Sequence, residues 1–277
     1  LTNHVATPMD AITDSEFRQF QAFIFDAAGI SLAPAKKALV SGRLAKRLRA
    51  CELESYGAYF SLISSDAHRA ERQVAIDLLT TNETYFFREP KHFEFLATVA
   101  SEARGSMFRT WSAACSSGEE AYSIAMVLAD RLAGRPFEVI GTDISTRMLH
   151  AAQRAHYPDI RARLMPGDYR KRFCLRGMGA QEGTLLVERG LRQHVRFAQA
   201  NLVAPLPDLG RFDVAFLRNV MIYFDAATKR EVVQRVSSLL RPDGYLCIGH
   251  SETLHDLGID LIPVSPSIYR KPGRAGN

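Results

Sequence analysis

Cysteine is scarce in this chain and scattered. Cys51, Cys115, Cys174 and Cys247 lie far apart, and none belongs to a C-x-x-C pair. That spacing excludes a cysteine zinc site and a disulfide framework, and it points to a reducing, cytoplasmic compartment. Long hydrophobic runs are missing too: no apolar stretch approaches the roughly 20 residues needed to span a bilayer. No secretory signal pattern opens the chain, and no internal repeat or low-complexity tract interrupts it. The G-x-G-x-x-G fingerprint of dinucleotide-binding folds is absent, which argues against a nicotinamide oxidoreductase. His92, His194, His250 and His255 have neither metal-ligand nor catalytic-triad spacing. No metal is therefore expected, and His250 reads as a structural hydrogen-bonding residue.

What is present suits a globular protein. The 277 residues are 47% hydrophobic and 23% charged, enough for one large domain or two unequal ones. The net charge of +5 is compatible with an anionic partner.

Residues 1–12 read as a flexible tail, and 13–80 as a helical domain. Thr13 and Glu16 form a capping box ahead of Phe17, Phe20, Ile24 and Ala28 at helical spacing, and Gly29 closes that helix. The segment 34–50 separates two faces. Val40, Leu44 and Leu48 make an apolar stripe, while Lys36, Arg43, Lys46 and Arg47 fall on the other side with no acid from Lys36 to Ala50. Such a run is either a solvated face or a docking face for an acidic partner. Further helices are expected near 55–64 and 68–79.

From residue 107 strands alternate with helices. Strands are predicted over 108–113, 137–143, 195–200, 212–217 and 245–249, with a last edge strand over 267–270. Helices are predicted over 119–133, from Ser145 to about 156, and after an Asp225 cap. This alternation means an α/β domain with a parallel sheet and crossovers. Residues 157–193 break it: Phe173–Arg176, a glycine-rich turn and Thr184–Glu188 read as a hairpin, a small antiparallel β insertion.

The stretch Trp111–Ser123 carries the first chemical signal. A strand runs into a small-residue turn, Cys115 to Gly118, and then into a helix that opens with Glu119 and Glu120. Such a turn brings a nucleotide-like ligand to the backbone and to a helix N-terminus. Acids there would repel a phosphate and suit a cationic ligand, so the pattern favours S-adenosylmethionine (SAM) over NAD. Asp143 ends the next strand, where adenosine-binding α/β folds receive ribose hydroxyls; the alternative role is a helix N-terminal acid. Arg218, Asn219 and Tyr223 leave another strand at its carboxyl end, where ligands of open α/β sheets bind. The segment 81–90 links the helical domain to the α/β domain, 91–277. Its Asn82, Thr84 and Arg88, set between aromatic residues, suggest a segment folded over the site.

Thr81–Glu89, Trp111–Ser123, Arg218–Phe224 and Gly249–Glu252, taken in order, resemble the CheR family of chemoreceptor protein-glutamate O-methyltransferases. The likeness runs from about Thr13 to Arg270. It implies a Rossmann-like SAM-dependent methyltransferase sheet with the β insertion, preceded by an all-α domain. It implies that Asn82, Thr84 and Arg88 line the cofactor pocket, that Glu120, with or without Glu119, holds the methionine amino end, and that Asp143 binds the ribose. Asn201 and Leu202 would flank the adenine, with Asn219 also at the cofactor. Arg88, Arg218 and Tyr223 would border the methyl-transfer point. Ala121 stands where the family favours proline, and Leu217 where some relatives have cysteine, so position 217 is not catalytic.

The implied reaction gives glutamate methyl esters on cytoplasmic chemoreceptor helices and S-adenosylhomocysteine, for chemotactic adaptation, in a cytoplasmic monomer. No nucleic acid or membrane insertion is involved. Lys36, Arg43, Lys46 and Arg47 would dock the receptor, and the β insertion would take a receptor C-terminal peptide. Competing readings are a SAM-dependent methyltransferase of RNA or a small molecule, and a non-catalytic receptor-binding scaffold.

Overall fold

The computed structural model describes residues 11–273. Most of the expected tail, 1–12, therefore lies outside the described residues. The chain divides into two compact units after Thr81.

The first unit is helical: α1 (Asp14–Ala28), α2 (Lys37–Ala50), α3 (Tyr56–Ser64) and α4 (Arg69–Leu79). The Thr13/Glu16 capping box forms, and Gly29 closes α1 at φ 70° by donating to the Phe25 carbonyl. A second Glu16 oxygen accepts the Gly57 amide at 2.7 Å, tying α1 to the start of α3. Phe20, Ile24, Leu44, Leu48, Tyr59 and Ile63 make the core. Burying each such side chain contributes about 1.5–3 kcal/mol.

The cationic face of α2 is not uniform. Lys36 and Lys46 are exposed. Arg43 donates to the Leu79 and Thr80 carbonyls at 3.1 Å. Arg47 grips Glu71 with two bonds of 2.7 and 2.5 Å, and Tyr59 donates to the same carboxylate at 2.8 Å. Burial pushes the Glu71 carboxyl up, but Arg47 and Tyr59 more than offset this and hold it low. Arg43 and Arg47 direct donors into their own domain, because the helix ends and the acid beside them need partners.

The second unit contains α5 (Lys91–Glu102), β1 (Phe108–Ala113), α6 (Glu119–Arg131), β2 (Phe137–Asp143), α7 (Thr146–Arg154), β3 (His156–Pro158), α8 (Gly167–Phe173), β4 (Cys174–Arg176), β5 (Thr184–Val187), α9 (Arg189–Arg192), β6 (Val195–Gln199), β7 (Phe212–Leu217), α10 (Ala226–Ser238), β8 (Leu240–Ile248), β9 (Ile262–Ser265) and β10 (Ile268–Arg270). The main sheet has the order β6-β2-β1-β7-β8-β10-β9. Its first five strands are parallel; β10 and β9 add antiparallel. The order reverses beside β1, which pairs with both β2 and β7, creating the crevice where open α/β sheets bind ligands. Helix α6 is buried nearly all round because it packs between the sheet and α5.

Three features depart from the sequence reading. Helix α5 was not anticipated, although Phe93, Leu96 and Ala100 keep helical spacing; it starts at Pro90 with no side-chain cap. The insertion has three strands rather than two, in the order β3-β5-β4. β3 is three residues long, too short to show alternation. The segment expected as the last edge strand, β10, is internal, and the exposed β9 forms the edge beyond it.

Candidate active site

The candidate residues collect at the carboxyl ends of the parallel strands. Beyond β1, Ala114 (φ 61°), Ser116 (φ 49°) and Gly118 (φ 94°) alternate in left-handed backbone and turn the chain sharply into α6. Gly118 is required there: an added Cβ would lie 2.7 Å from the Ala152 Cβ. The Ser116 amide donates to Asp143 Oδ2 at 2.8 Å, and the Ser145 amide to Oδ1 at 2.8 Å. Asp143 thus orders both the first βα turn and the start of α7. The two roles considered for it are not exclusive, since a carboxylate offers about four acceptor positions.

Glu119 and Glu120 point in different directions, as neighbours about 100° apart on a helix must. Glu120 accepts from Ser112 Oγ at 2.7 Å with one oxygen and from Arg218 Nη1 at 2.8 Å with the other. The Glu119 side chain is 1% exposed. One of its oxygens accepts from Ser117 Oγ at 2.7 Å. The other has an arginine, Arg161, 4.0 Å away. Burial raises the pKa of both carboxyls, and for Glu120 it outweighs the opposing effect of Arg218.

Arg218 follows β7 at its carboxyl end. Its side chain is 1% exposed and lies between Glu120 and Glu89, whose Oε2 is 3.0 Å from Nη2. It also donates to the Arg88 carbonyl. A guanidinium so enclosed cannot reach a ligand in this conformation. In this conformation it ties together α6 through Glu120, the 88–89 stretch, and its own turn after β7. For Glu89, burial raises the pKa, but Arg218 and Asn219 outweigh it and the carboxyl is held low.

The segment from Asn82 to Glu89 belongs to this unit. Ser116 Oγ donates to the Asn82 carbonyl at 2.9 Å. Thr84 is buried, and Arg161 donates to its carbonyl. Two aromatic residues of this segment turn inward. Phe86 packs edge-on to Tyr157 at 5.0 Å, and Phe87 packs on Phe93 and Tyr169. They pin the segment by turning into the core. Arg88 stays partly exposed, donating to the Glu83 carbonyl at 3.0 Å with its guanidinium 5.7 Å from the Tyr85 ring centre.

Asn219 sits at φ 58° after β7 and donates to Glu89 Oε1 at 3.2 Å. Tyr223 is partly exposed in a 3₁₀ turn, 221–223. Asn201 follows β6, its side chain accepting the Val203 amide at 3.2 Å, and Leu202 is buried beside it.

The sequence reading missed several residues. Glu252 accepts the Gly249, Asn219 and Ile222 amides at 2.7, 3.0 and 3.3 Å, locking the turn that carries Asn219 and Tyr223. The Gly249–Glu252 motif was visible; its role needed the fold. From the insertion, Tyr157 donates to the Ser117 carbonyl at 2.8 Å, and Arg161 reaches Glu83 as well as Thr84. Its backbone carbonyl also accepts the Phe86 amide at 2.9 Å. Burial and the nearby Arg218 hold the His92 imidazole down at about 4, so it is neutral at pH 7.

Family comparison accounts for this arrangement. Residues 82–266 match the CheR methyltransferase SAM binding domain, and residues 15–80 match the CheR methyltransferase all-alpha domain. The chain belongs to the CheR methyltransferase family. The chemotaxis protein methyltransferase of Escherichia coli (strain K12) is 43% identical over 250 residues, covering 89% of this chain and 87% of that one. Chemotaxis protein methyltransferase 2 of Pseudomonas aeruginosa is 42% identical over 262 residues, 93% of each chain. The chemotaxis protein methyltransferase of Borreliella burgdorferi is 34% identical over 273 residues, 94% of this chain and 95% of that one.

The CheR cofactor is S-adenosylmethionine, and the donor set fits it. Glu119 is a desolvated carboxylate with a single cation at 4.0 Å, and an ammonium group would supply the partner its burial otherwise lacks. Among the described residues of this CheR chain, no helix is long and apolar enough to cross a membrane.

Proposed function

We propose that this CheR-family protein transfers a methyl group from S-adenosylmethionine to the γ-carboxylate of glutamates on cytoplasmic chemoreceptor helices, acting as a cytoplasmic monomer. The observation that carries the reading is the buried Glu119 carboxylate at the start of α6, with Asp143 at the tip of the adjacent strand. In this reading Glu119 holds the amino group of the cofactor, since both Glu120 oxygens are engaged elsewhere. Asp143 receives the ribose, and Asn201 and Leu202 flank the adenine. Asn82, Thr84, Arg88 and Asn219 complete the lining.

When bound, the cofactor supplies an electrophilic methyl group on a sulfonium. The protein need not remove a proton, because a glutamate of ordinary pKa, about 4.3, is already ionised at pH 7. Its residues orient and desolvate. Arg88, still partly exposed, guides a carboxylate. Tyr223 shapes the methyl pocket, and Arg218 keeps Glu120 and the 88–89 backbone in place. Alignment of the reacting atoms and exclusion of water are the catalytic contributions.

Docking is assigned to the basic face of α2, with Lys36 and Lys46 as its exposed charges and Arg43 and Arg47 framing them. The outer edge of the three-stranded insertion suits an extended receptor peptide. The test is transfer of labelled methyl from S-adenosylmethionine to receptor-containing membranes. Base-labile label is expected, and Lys36→Glu with Lys46→Glu should raise the receptor KM while leaving cofactor affinity intact. Failure of the wild-type protein to transfer base-labile label would overturn the ester reading; an unchanged receptor KM would overturn the docking assignment.

A further inference from the structure

Behind Arg218 the fold gathers three groups that are distant in sequence. Glu89 Oε2 lies 3.5 Å from His92 Nδ1 and 3.8 Å from His250 Nε2. All three potential ligand atoms are within 4.8 Å of one another. His92 is 1% exposed, and neither of its ring nitrogens has a hydrogen-bond partner. A buried polar group left unpaired costs about 1–3 kcal/mol and calls for an explanation. The ring of His250 packs edge-on to His92 at 5.0 Å, and its side chain is 47% exposed, opening the cluster to solvent.

We propose that Glu89, His92 and His250 form a site for a divalent transition-metal ion of the zinc class, and that its occupation antagonises cofactor binding. The geometry needs little adjustment. Even with the third ligand pair at its 4.8 Å limit, a point roughly 2.4 Å from all three atoms exists, against metal–ligand lengths of about 2.0–2.2 Å. Two imidazoles and one carboxylate favour zinc, cobalt or nickel over magnesium or calcium. The exposed side of His250 leaves a fourth position for water.

The antagonism follows from Arg218. Its Nη2 is 3.0 Å from the same Glu89 oxygen, and the His250 amide also donates to that oxygen at 3.2 Å. An ion bound there competes with the guanidinium for Glu89. The clamp on the Arg88–Glu89 backbone then loosens, and with it the segment from Asn82 to Arg88. This second half rests on the reading that the segment lines the cofactor pocket. Linkage makes the effect reciprocal: cofactor and metal weaken each other by the same factor.

The experiment uses the full chain without a polyhistidine tag. Cobalt is titrated by visible absorption, zinc by calorimetry, and cofactor affinity is measured with zinc and with chelator. One ion per chain is expected, with His250→Ala weakening it at least about tenfold. Zinc should weaken cofactor binding in the wild type and leave it unchanged in His250→Ala. Absence of stoichiometric binding, or equal binding by His250→Ala, would overturn the site. Site-specific metal binding with unaltered cofactor affinity would overturn the antagonism. Failure to bind the cofactor in chelator would instead count against the cofactor reading, while the cobalt titration would still report on the metal site.

Discussion

Replacing Arg218 with methionine removes the one cation shared by Glu89 and Glu120 while keeping an unbranched side chain of similar reach. Removing one partner of a buried ion pair typically costs about 3–5 kcal/mol, because the remaining charge is stranded. Here each carboxylate keeps another donor: Ser112 on Glu120, and Asn219 with the His250 amide on Glu89. The lower end, about 3 kcal/mol, is therefore expected at pH 7. With a urea m-value of about 2 kcal/mol/M, the unfolding midpoint should fall by roughly 1.5 M. Trp111 is the chain's only tryptophan and is fully buried in β1, so its fluorescence follows the α/β unit. The pH dependence gives a second check. With its folded pKa held below 4.5, Glu89 stabilises the native state above that range and loses this contribution as pH falls through the folded value. Without Arg218, burial dominates and the carboxyl is raised, so its contribution is retained at low pH and lost as pH rises. The gap between variant and wild type must narrow on acidification from pH 7. A midpoint shift equivalent to less than about 1 kcal/mol, or a gap that widens toward acid, would refute the clamp.

Gly118→Ala should cost about 2–4 kcal/mol, combining a left-handed φ with a contact of 2.7 Å to Ala152, and should weaken cofactor binding; a variant as stable as wild type in urea would show that the turn tolerates a side chain. Glu119 is predicted to set an acid limb on cofactor affinity. Its folded pKa is raised above 4.5, so affinity should fall as pH drops through that raised value. The fold does not share the loss through this group, whose contribution to stability is present at low pH and declines as pH rises. In Glu119→Gln, calorimetry should find weak binding with no acid limb; a wild-type affinity that stays flat as pH falls from 7 to the ordinary carboxyl range would remove Glu119 from the cofactor.

The strands that build the crevice were readable because each is an apolar run bounded by turn residues: 108–113, 137–143 and 212–217 are found where the sequence put them. Helix α5 was readable in principle from Phe93, Leu96 and Ala100, but it lacks the polar cap that marks a start. β3 is defined by its pairing with β5 alone, and pairing is not a local property. The same division runs through the site. Positions at strand tips, such as Asp143 and Arg218, follow from fold class. Their partners do not: Arg218 meets Glu120 across 98 residues, and Asn219 meets Glu89 across 130. Charges spaced along a helix also say little about where their donors go, as Arg43 and Arg47 illustrate. In 81–90 the direction in which Phe86 and Phe87 turn is set by Tyr157, Phe93 and Tyr169, which the local sequence does not reveal.

The hydroxyl of Tyr157 and the side chain of Arg161 come from the small insertion, yet they hold the turn at Ser117 and the segment at Thr84. Those two stretches are otherwise joined by the Ser116–Asn82 bond. The insertion therefore serves as a buttress as well as an appendage. Tyr157 reaches the first stretch from β3, and Arg161 reaches the second from the turn that follows it. Displacing residues 157–161 would therefore load the Ser117 turn and the Thr84 segment together, through bonds that share no atom.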